Sequence, residues 1–362
     1  MKKKVYICLI ALCVFLTGCG ASAGTGTKKE AEDWRTDKII GDSGYDGDWR
    51  LGIAENDKYV FYLRDDYKII RFDKEKKANE TIVTLKEDKE WGNVNISLCP
   101  YEDQLYYIYN SELYQCDLDG KNNKLLVRGK DLKDGGKLKD KKASKDPKKL
   151  KNVYDSYIDE VYVYEGKIYF MMTSSIVVLD PETKVIQQVT EIAWRDIHFY
   201  NGYIYGFTNA TPSMYRTNLE TGVEEVIRGK GESEITEDIT QYRELFTAGD
   251  KLYYSCWTQG GNHCLYEYRE NGKDKEVYRI NKYGENGFFW AVSDSMKLVE
   301  YEYDADKDGR RKITVKDIAT GEKKEGEFKG EFAQIMYSID GNLICSKEDG
   351  EKEDAYLVIS LP

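Results

Sequence analysis

One phrase of apolar and polar positions recurs along the chain: an apolar strand, a tight turn of Gly, Asn or Asp, a Leu-Tyr-Tyr-like strand, then a third strand ending in Asp. The clearest copy is Gln104-Leu105-Tyr106-Tyr107-Ile108, followed by Glu112-Leu113-Tyr114-Gln115-Cys116-Asp117-Leu118-Asp119-Gly120. Others are Lys167-Ile168-Tyr169-Phe170 leading to Ile176-Val177-Val178-Leu179-Asp180, Tyr203-Ile204-Tyr205 leading to Met214-Tyr215-Arg216-Thr217-Asn218, and Leu252-Tyr253-Tyr254 leading to Leu265-Tyr266-Glu267-Tyr268. Weaker copies surround Asp57–Tyr62, Asp294–Tyr301 and Asp340–Cys345. The second strands return at a spacing of about 45 residues, the length of a four-stranded propeller blade. A blade has neighbours on both faces, so its strands carry apolar side chains on both sides, as Val161-Tyr162-Val163-Tyr164 does.

The pattern therefore predicts an all-β β-propeller of seven four-stranded blades. The final copy begins at Phe332 and has Ala355–Leu361 as its third strand, which leaves no sequence for a fourth. Trp34–Ile40 has strand character, so the N-terminal strand is expected to pair in the last blade and close the ring. Composition fits strands, with 30 Tyr, 11 Phe and 31 Gly. A tyrosine ring fills the wedge between splayed sheets while its hydroxyl reaches an edge. The net charge of −11 argues against nucleic acid as a partner, and against general affinity for anionic lipid.

The N-terminus changes the picture. Lys2, Lys3 and Lys4 precede an apolar run, Val5–Leu16, that is short for a spanning helix and has the form of a secretion signal. Leu16-Thr17-Gly18-Cys19 resembles the lipobox of bacterial lipoproteins, which implies diacylglycerol on the Cys19 thiol and cleavage before it. The expected organisation is a signal peptide at 1–18, a tether at 19–33 and a propeller at 34–362. A lysine-rich insertion at 128–152 separates the second and third blades. The chain is thus expected to be lipid-anchored on the extracytoplasmic face of a bacterial cell membrane.

The Leu-Tyr-Tyr strand followed by Leu-Tyr-Gln-Cys-Asp-Leu-Asp-Gly resembles the bacterial β-propeller domain similar to the low-density-lipoprotein-receptor-related protein. That resemblance implies a propeller over most of the exported chain and says little about activity. The Tyr-Trp-Thr-Asp motif of the receptor family is not intact in any copy.

Candidate chemistry is sparse. Aromatic and arginine residues precede the inner strands at equivalent places: Trp49-Arg50, Trp91, Trp194-Arg195, Tyr242-Arg243 and Phe289-Trp290. They are expected to gather at one mouth of the central channel, with Trp257 nearby in a loop. Aromatic faces stack on sugars or peptides, and arginine offers a planar fork to carboxylates. The alternative is that they wedge adjacent blades together. Cys256 and Cys264 flank Gly260-Gly261 and could face each other across a hairpin, as a disulfide or as two buried thiols. Asp304, Asp306 and Asp308 resemble half a calcium loop, but Lys312 and Val315 stand where further ligands belong. His198 and His263 have no metal spacing around them, and no nucleophile elbow or phosphate loop is present. No cofactor is implied. The reading is a noncatalytic binding or scaffolding module for a peptide, glycan or envelope protein. The alternative is an enzyme of envelope polysaccharide with acids at the channel mouth.

Overall fold

The computed structural model describes residues 35–36, 52–64, 67–86, 96–129, 132, 158–172, 175–190, 195–208, 212–229, 239–281, 288–292, 297–301, 307–329, 334–339, 342–346 and 356–360. After a short β1 (Arg35–Thr36), strands follow one another in antiparallel groups of four. The first sheet is β2 (Ile53–Glu55), β3 (Tyr59–Arg64), β4 (Lys68–Asp73) and β5 (Ala78–Thr84); the second is β6 (Ile96–Tyr101), β7 (Gln104–Tyr109), β8 (Glu112–Asp117) and β9 (Lys124–Arg128). The third is β10 (Ile158–Tyr164), β11 (Lys167–Met172), β12 (Ser175–Leu179) and β13 (Ile186–Thr190). The fourth is β14 (Arg195–Tyr200), β15 (Tyr203–Thr208), β16 (Ser213–Asn218) and β17 (Glu224–Arg228). The fifth is β18 (Ile239–Ala248), β19 (Lys251–Thr258), β20 (His263–Glu267) and β21 (Lys275–Ile280). The sixth is β22 (Phe288–Val292), β23 (Lys297–Tyr301), β24 (Arg310–Asp317) and β25 (Lys323–Lys329). Finally β26 (Gln334–Ile339), β27 (Asn342–Ser346) and β28 (Tyr356–Ser360) pair in order, with β1 beside β28.

The architecture is an all-β β-propeller, and the expectation of seven equal blades is corrected. Six sheets are complete blades of four consecutive strands. The last three strands form a smaller unit in which β1 takes the fourth place, as expected of the N-terminal strand, through Arg35↔Ile359 and Thr36↔Val358; Trp34 and residues 37–40 lie outside the described residues. Two residues supply far fewer ladder bonds than the six-register pairings of β3 with β4 or β7 with β8, so this composite sheet is not equivalent to the rest.

In several blades the burial follows strand position. Some second and third strands are buried on both faces, as in Leu105–Tyr109, Ile168–Met172, Ser175–Leu179 and His263–Glu267. Fourth strands such as β5, β9 and β21 lie largely exposed at the rim. First strands of successive blades meet, β2 with β6, β6 with β10 and β14 with β18, which makes them the inner ones. The cores therefore lie between sheets. Ile108, Leu113 and Phe170 join blades two and three; Tyr169, Ile176 and Ile204 join three and four. Leu132, which falls within the predicted lysine-rich insertion, is buried in the former cluster beside Val127 and Ile158. Tyrosine does what the sequence pattern implies: the rings of Tyr107 and Tyr114 stack at 5.0 Å, while the Tyr107 hydroxyl meets Asn123.

The turns explain the repeated phrase. The hairpins before the Leu-Tyr-Tyr strands turn at Glu165-Gly166 and Asn201-Gly202, where both residues have positive φ (49° and 72°; 49° and 75°). That is the mirror-image turn that matches strand twist. The residue ending the third strand also has a structural task. Asp73 Oδ1 accepts the N–H groups of Glu75 and Lys76 at 3.1 and 2.8 Å. Asp180 receives those of Glu182 and Thr183, Asn218 those of Glu220 and Thr221, and Asp317 that of Thr320. These backbone N–H groups hold the Asp73, Asp180 and Asp317 carboxyls below the ordinary value of 3.8.

A depressed folded-state pKa contributes stability that is complete above the unfolded value and is lost as pH falls through the folded one. The unfolding midpoint is thus expected to fall below about pH 4 in part through these three turns. Asn218 performs the same task without a titrating group. The triple change Asp73→Asn, Asp180→Asn and Asp317→Asn should flatten the acid limb of a midpoint-against-pH curve, and an unchanged slope would count against this origin.

Candidate functional site

Three successive inner strands share an irregularity that lies next to the channel. In β10, Ile158 pairs Met172 and Val161 pairs Phe170, so Asp159 and Glu160 together oppose Met171. In β14, Asp196 and Ile197 fall between Arg195↔Phe207 and His198↔Tyr205. In β18, Arg243 and Glu244 fall between Tyr242↔Cys256 and Leu245↔Tyr254. Each is a bulge of two residues against one, which kinks the strand and re-aims its side chains. Five of the six bulged residues are charged. By contrast β6 pairs with β7 one residue to one throughout.

The bulges are held from neighbouring blades and strands. Ser97 of β6 accepts the Val161 N–H at 3.1 Å, and the His198 Nε2 lies 3.2 Å from the Thr247 hydroxyl of β18. Tyr162 donates its hydroxyl to Glu160 at 2.5 Å. In β18 the Glu244 N–H points to the Ser255 hydroxyl at 3.3 Å.

The fullest side-chain arrangement belongs to the fifth blade. The Arg243 guanidinium lies over the Trp257 ring at 4.7 Å, and the His263 ring meets Trp257 edge-on at 6.1 Å. Thr240 donates its hydroxyl to the Trp257 carbonyl at 3.2 Å. His263 is buried, and burial together with the positive charge of Arg243 lowers its pKa to about 3. It is therefore neutral at physiological pH and cannot serve there as a general acid. His198 is likewise pushed down, to about 4, by burial. This corner offers a half-buried indole with a cation on its face. Among the described residues no group of three or more His, Cys, Asp or Glu could hold a metal ion.

Several predicted positions are corrected. Trp257 is not in a loop: it lies in β19, opposite Gln241 and His263. Arg243 lies inside β18 and Trp290 inside β22, rather than before them, while Arg195 begins β14. His263 opens β20. Cys256 and Cys264 do oppose each other, and both are free thiols. Asp308 stands in the turn before β24. Cys19, Trp49, Arg50, Trp91, Trp194, Asp304 and Asp306 lie outside the described residues, as does most of the insertion at 128–152.

One concavity was not foreseen. At the opposite ends of the inner strands, an open groove of about 730 Å³ lies between blades one and two, with Asp57, Asp103, Asp117 and Asp119 among its lining. Arg71 stacks on Tyr59 at 4.6 Å and reaches across to the Leu118 carbonyl at 3.1 Å. Glu80 pairs with the same guanidinium at 2.5 Å, leaving the wall acidic.

No protein-family model matches the sequence, and no curated protein matches it. Solved structures do. A chain of the Mitotic Checkpoint Complex aligns with a TM-score of 0.58 at 8% identity, covering 98% of this chain and 100% of that one. The extracellular domain of a one-component system from B. thetaiotaomicron gives 0.57 at 10% identity, covering 91% of this chain and 43% of that one. An oligogalacturonate lyase from Vibrio parahaemolyticus gives 0.55 at 13% identity, over 87% and 89%. At such identities the likeness is one of fold. The functions of these neighbours differ from one another, as expected where a rigid scaffold carries unrelated sites.

Proposed function

We propose that this propeller is a noncatalytic binding module, anchored through Cys19 to the extracytoplasmic face of a bacterial membrane. It presents the bulged ends of β10, β14 and β18 to a peptide, glycan or envelope protein. The observation that carries the reading is the recurrence of one bulge in three adjacent inner strands, with charged residues in each, beside the Arg243–Trp257 stack. Bulges of this sort re-aim side chains, often next to functional sites, and His263 is not an imidazolium at working pH. The anchor rests on the Lys2–Cys19 pattern alone.

Capture of partners from intact cells tests the reading. Trp257→Ala and Arg243→Ala are expected to lose the captured partner, whereas deletion of residues 134–150, which spares buried Leu132, leaves it bound. Equal capture by all versions would remove this face from consideration. Loss with the deletion alone would assign binding to the lysine-rich insertion instead.

A further inference from the structure

We infer that Cys256 and Cys264 are a site of covalent oxidation, joined as a cross-strand disulfide when the chain folds in the presence of a disulfide oxidant. The two are direct register partners on β19 and β20, so their side chains share one face of the sheet. The intervening hairpin is tight. The Thr258 N–H donates to the Asn262 carbonyl at 3.0 Å and the Gly261 N–H to the Thr258 carbonyl at 3.0 Å, with Gly261 at φ 72°. Opposed residues in an antiparallel pair have Cβ atoms about 4.5–5.5 Å apart, against about 3.5–4.5 Å in a disulfide, so roughly an ångström of approach closes the bridge.

Timing follows from burial. Both side chains are fully buried in the cluster of Tyr242, Tyr254 and Tyr266 between blades four and five. Exchange requires an accessible thiolate, and burial raises both thiol pKa values, so the reaction belongs to the hairpin before blade four covers it. The Cys256 thiolate attacks one sulfur of glutathione disulfide and releases one glutathione thiolate. The Cys264 thiolate then attacks Cys256 Sγ in the mixed disulfide and expels the second glutathione. Two thiol protons pass to solvent and the two electrons reside on the released glutathione sulfurs.

The consequence bears on the proposed site. The next register pair towards the hairpin turn is Trp257 opposite His263, so the bridge would fix the two strands that carry the Arg243 platform. The inference rests on the extracytoplasmic reading only for where the oxidant is met, and its test needs neither membrane nor ligand.

The protein is refolded from urea with or without a mixture of reduced and oxidised glutathione, alkylated, and mapped by non-reducing peptide mass spectrometry. The expected result is one joined peptide pair, Cys256 with Cys264, found only with oxidant. Its denaturant midpoint should drop when the bridge is reduced. Cys256→Ser and Cys264→Ala should each lose the joined pair and the midpoint response to reductant, with circular dichroism reporting that they fold. Full alkylation of both thiols after oxidative refolding would overturn the inference. So would joining of either thiol to Cys99, Cys116 or Cys345.

Discussion

Asp274→Ala is expected to lower the unfolding free energy by about 3–5 kcal/mol, because it strands a buried guanidinium. Arg228, at the end of β17 in the fourth blade, reaches Asp274 in the β20–β21 connection of the fifth through Nε at 2.7 Å and Nη2 at 2.6 Å. Their side chains are 5% and 0% exposed. The same carboxylate accepts the Tyr254 hydroxyl at 2.7 Å and the Arg269 N–H at 2.8 Å. The guanidinium also reaches the Arg269 carbonyl at 2.7 Å and lies over Tyr268 at 4.8 Å. Every strong group has a partner, so removing one member costs desolvation as well as the bond. The doubly changed chain, Arg228→Met with Asp274→Leu, should lose clearly less than the sum of the single losses. Urea unfolding of the four proteins measures this, and additive losses would show that the pair does not act as a unit.

The second large effect is expected at Gly120, where Ala should cost about 2–5 kcal/mol from overpacking and left-handed backbone strain together. Gly120 has φ 79°, and a Cβ there would stand 1.9 Å from the Ile82 carbonyl oxygen of the first blade. Backbone cannot yield as the end of a side chain can. Gly166 supplies the control, since it has φ 72° with no atom within 4 Å of an added Cβ. Gly166→Ala should therefore cost only the conformational part, about 1–2 kcal/mol. Equal losses at the two positions would mean that blades one and two are not packed as described.

Much of the fold was legible because blade-building signals are local. A two-residue turn such as Asn201-Gly202 followed by Tyr203-Ile204-Tyr205 specifies a hairpin by itself, and the residue closing the third strand caps its own turn. What lies between blades was not legible. Arg228 and Asp274 are separated by 46 residues, and nothing in either neighbourhood names the other. Strand alternation also hides a bulge, because one extra residue shifts every later side chain to the other face. A signal did exist: Glu160, Asp196 and Glu244 each stand five residues before the first residue of the following turn, at Glu165, Asn201 and Gly249. Reading back from the turns, instead of forward from the tryptophans, would have found the bulged face. Trp257 was misplaced for a related reason, since Trp257-Thr258 precedes a glycine pair and looks like loop until pairing with His263 extends the strand.

The central claim is that the face at the bulged ends of the inner strands is the one that meets a partner. Site-specific photo-crosslinking in intact cells tests it most directly, with a photoreactive residue at exposed Thr240 beside Trp257, or at exposed Asp57 in the groove at the other end. The account predicts a discrete adduct from position 240 and none from position 57. Adducts from position 57 alone would contradict it.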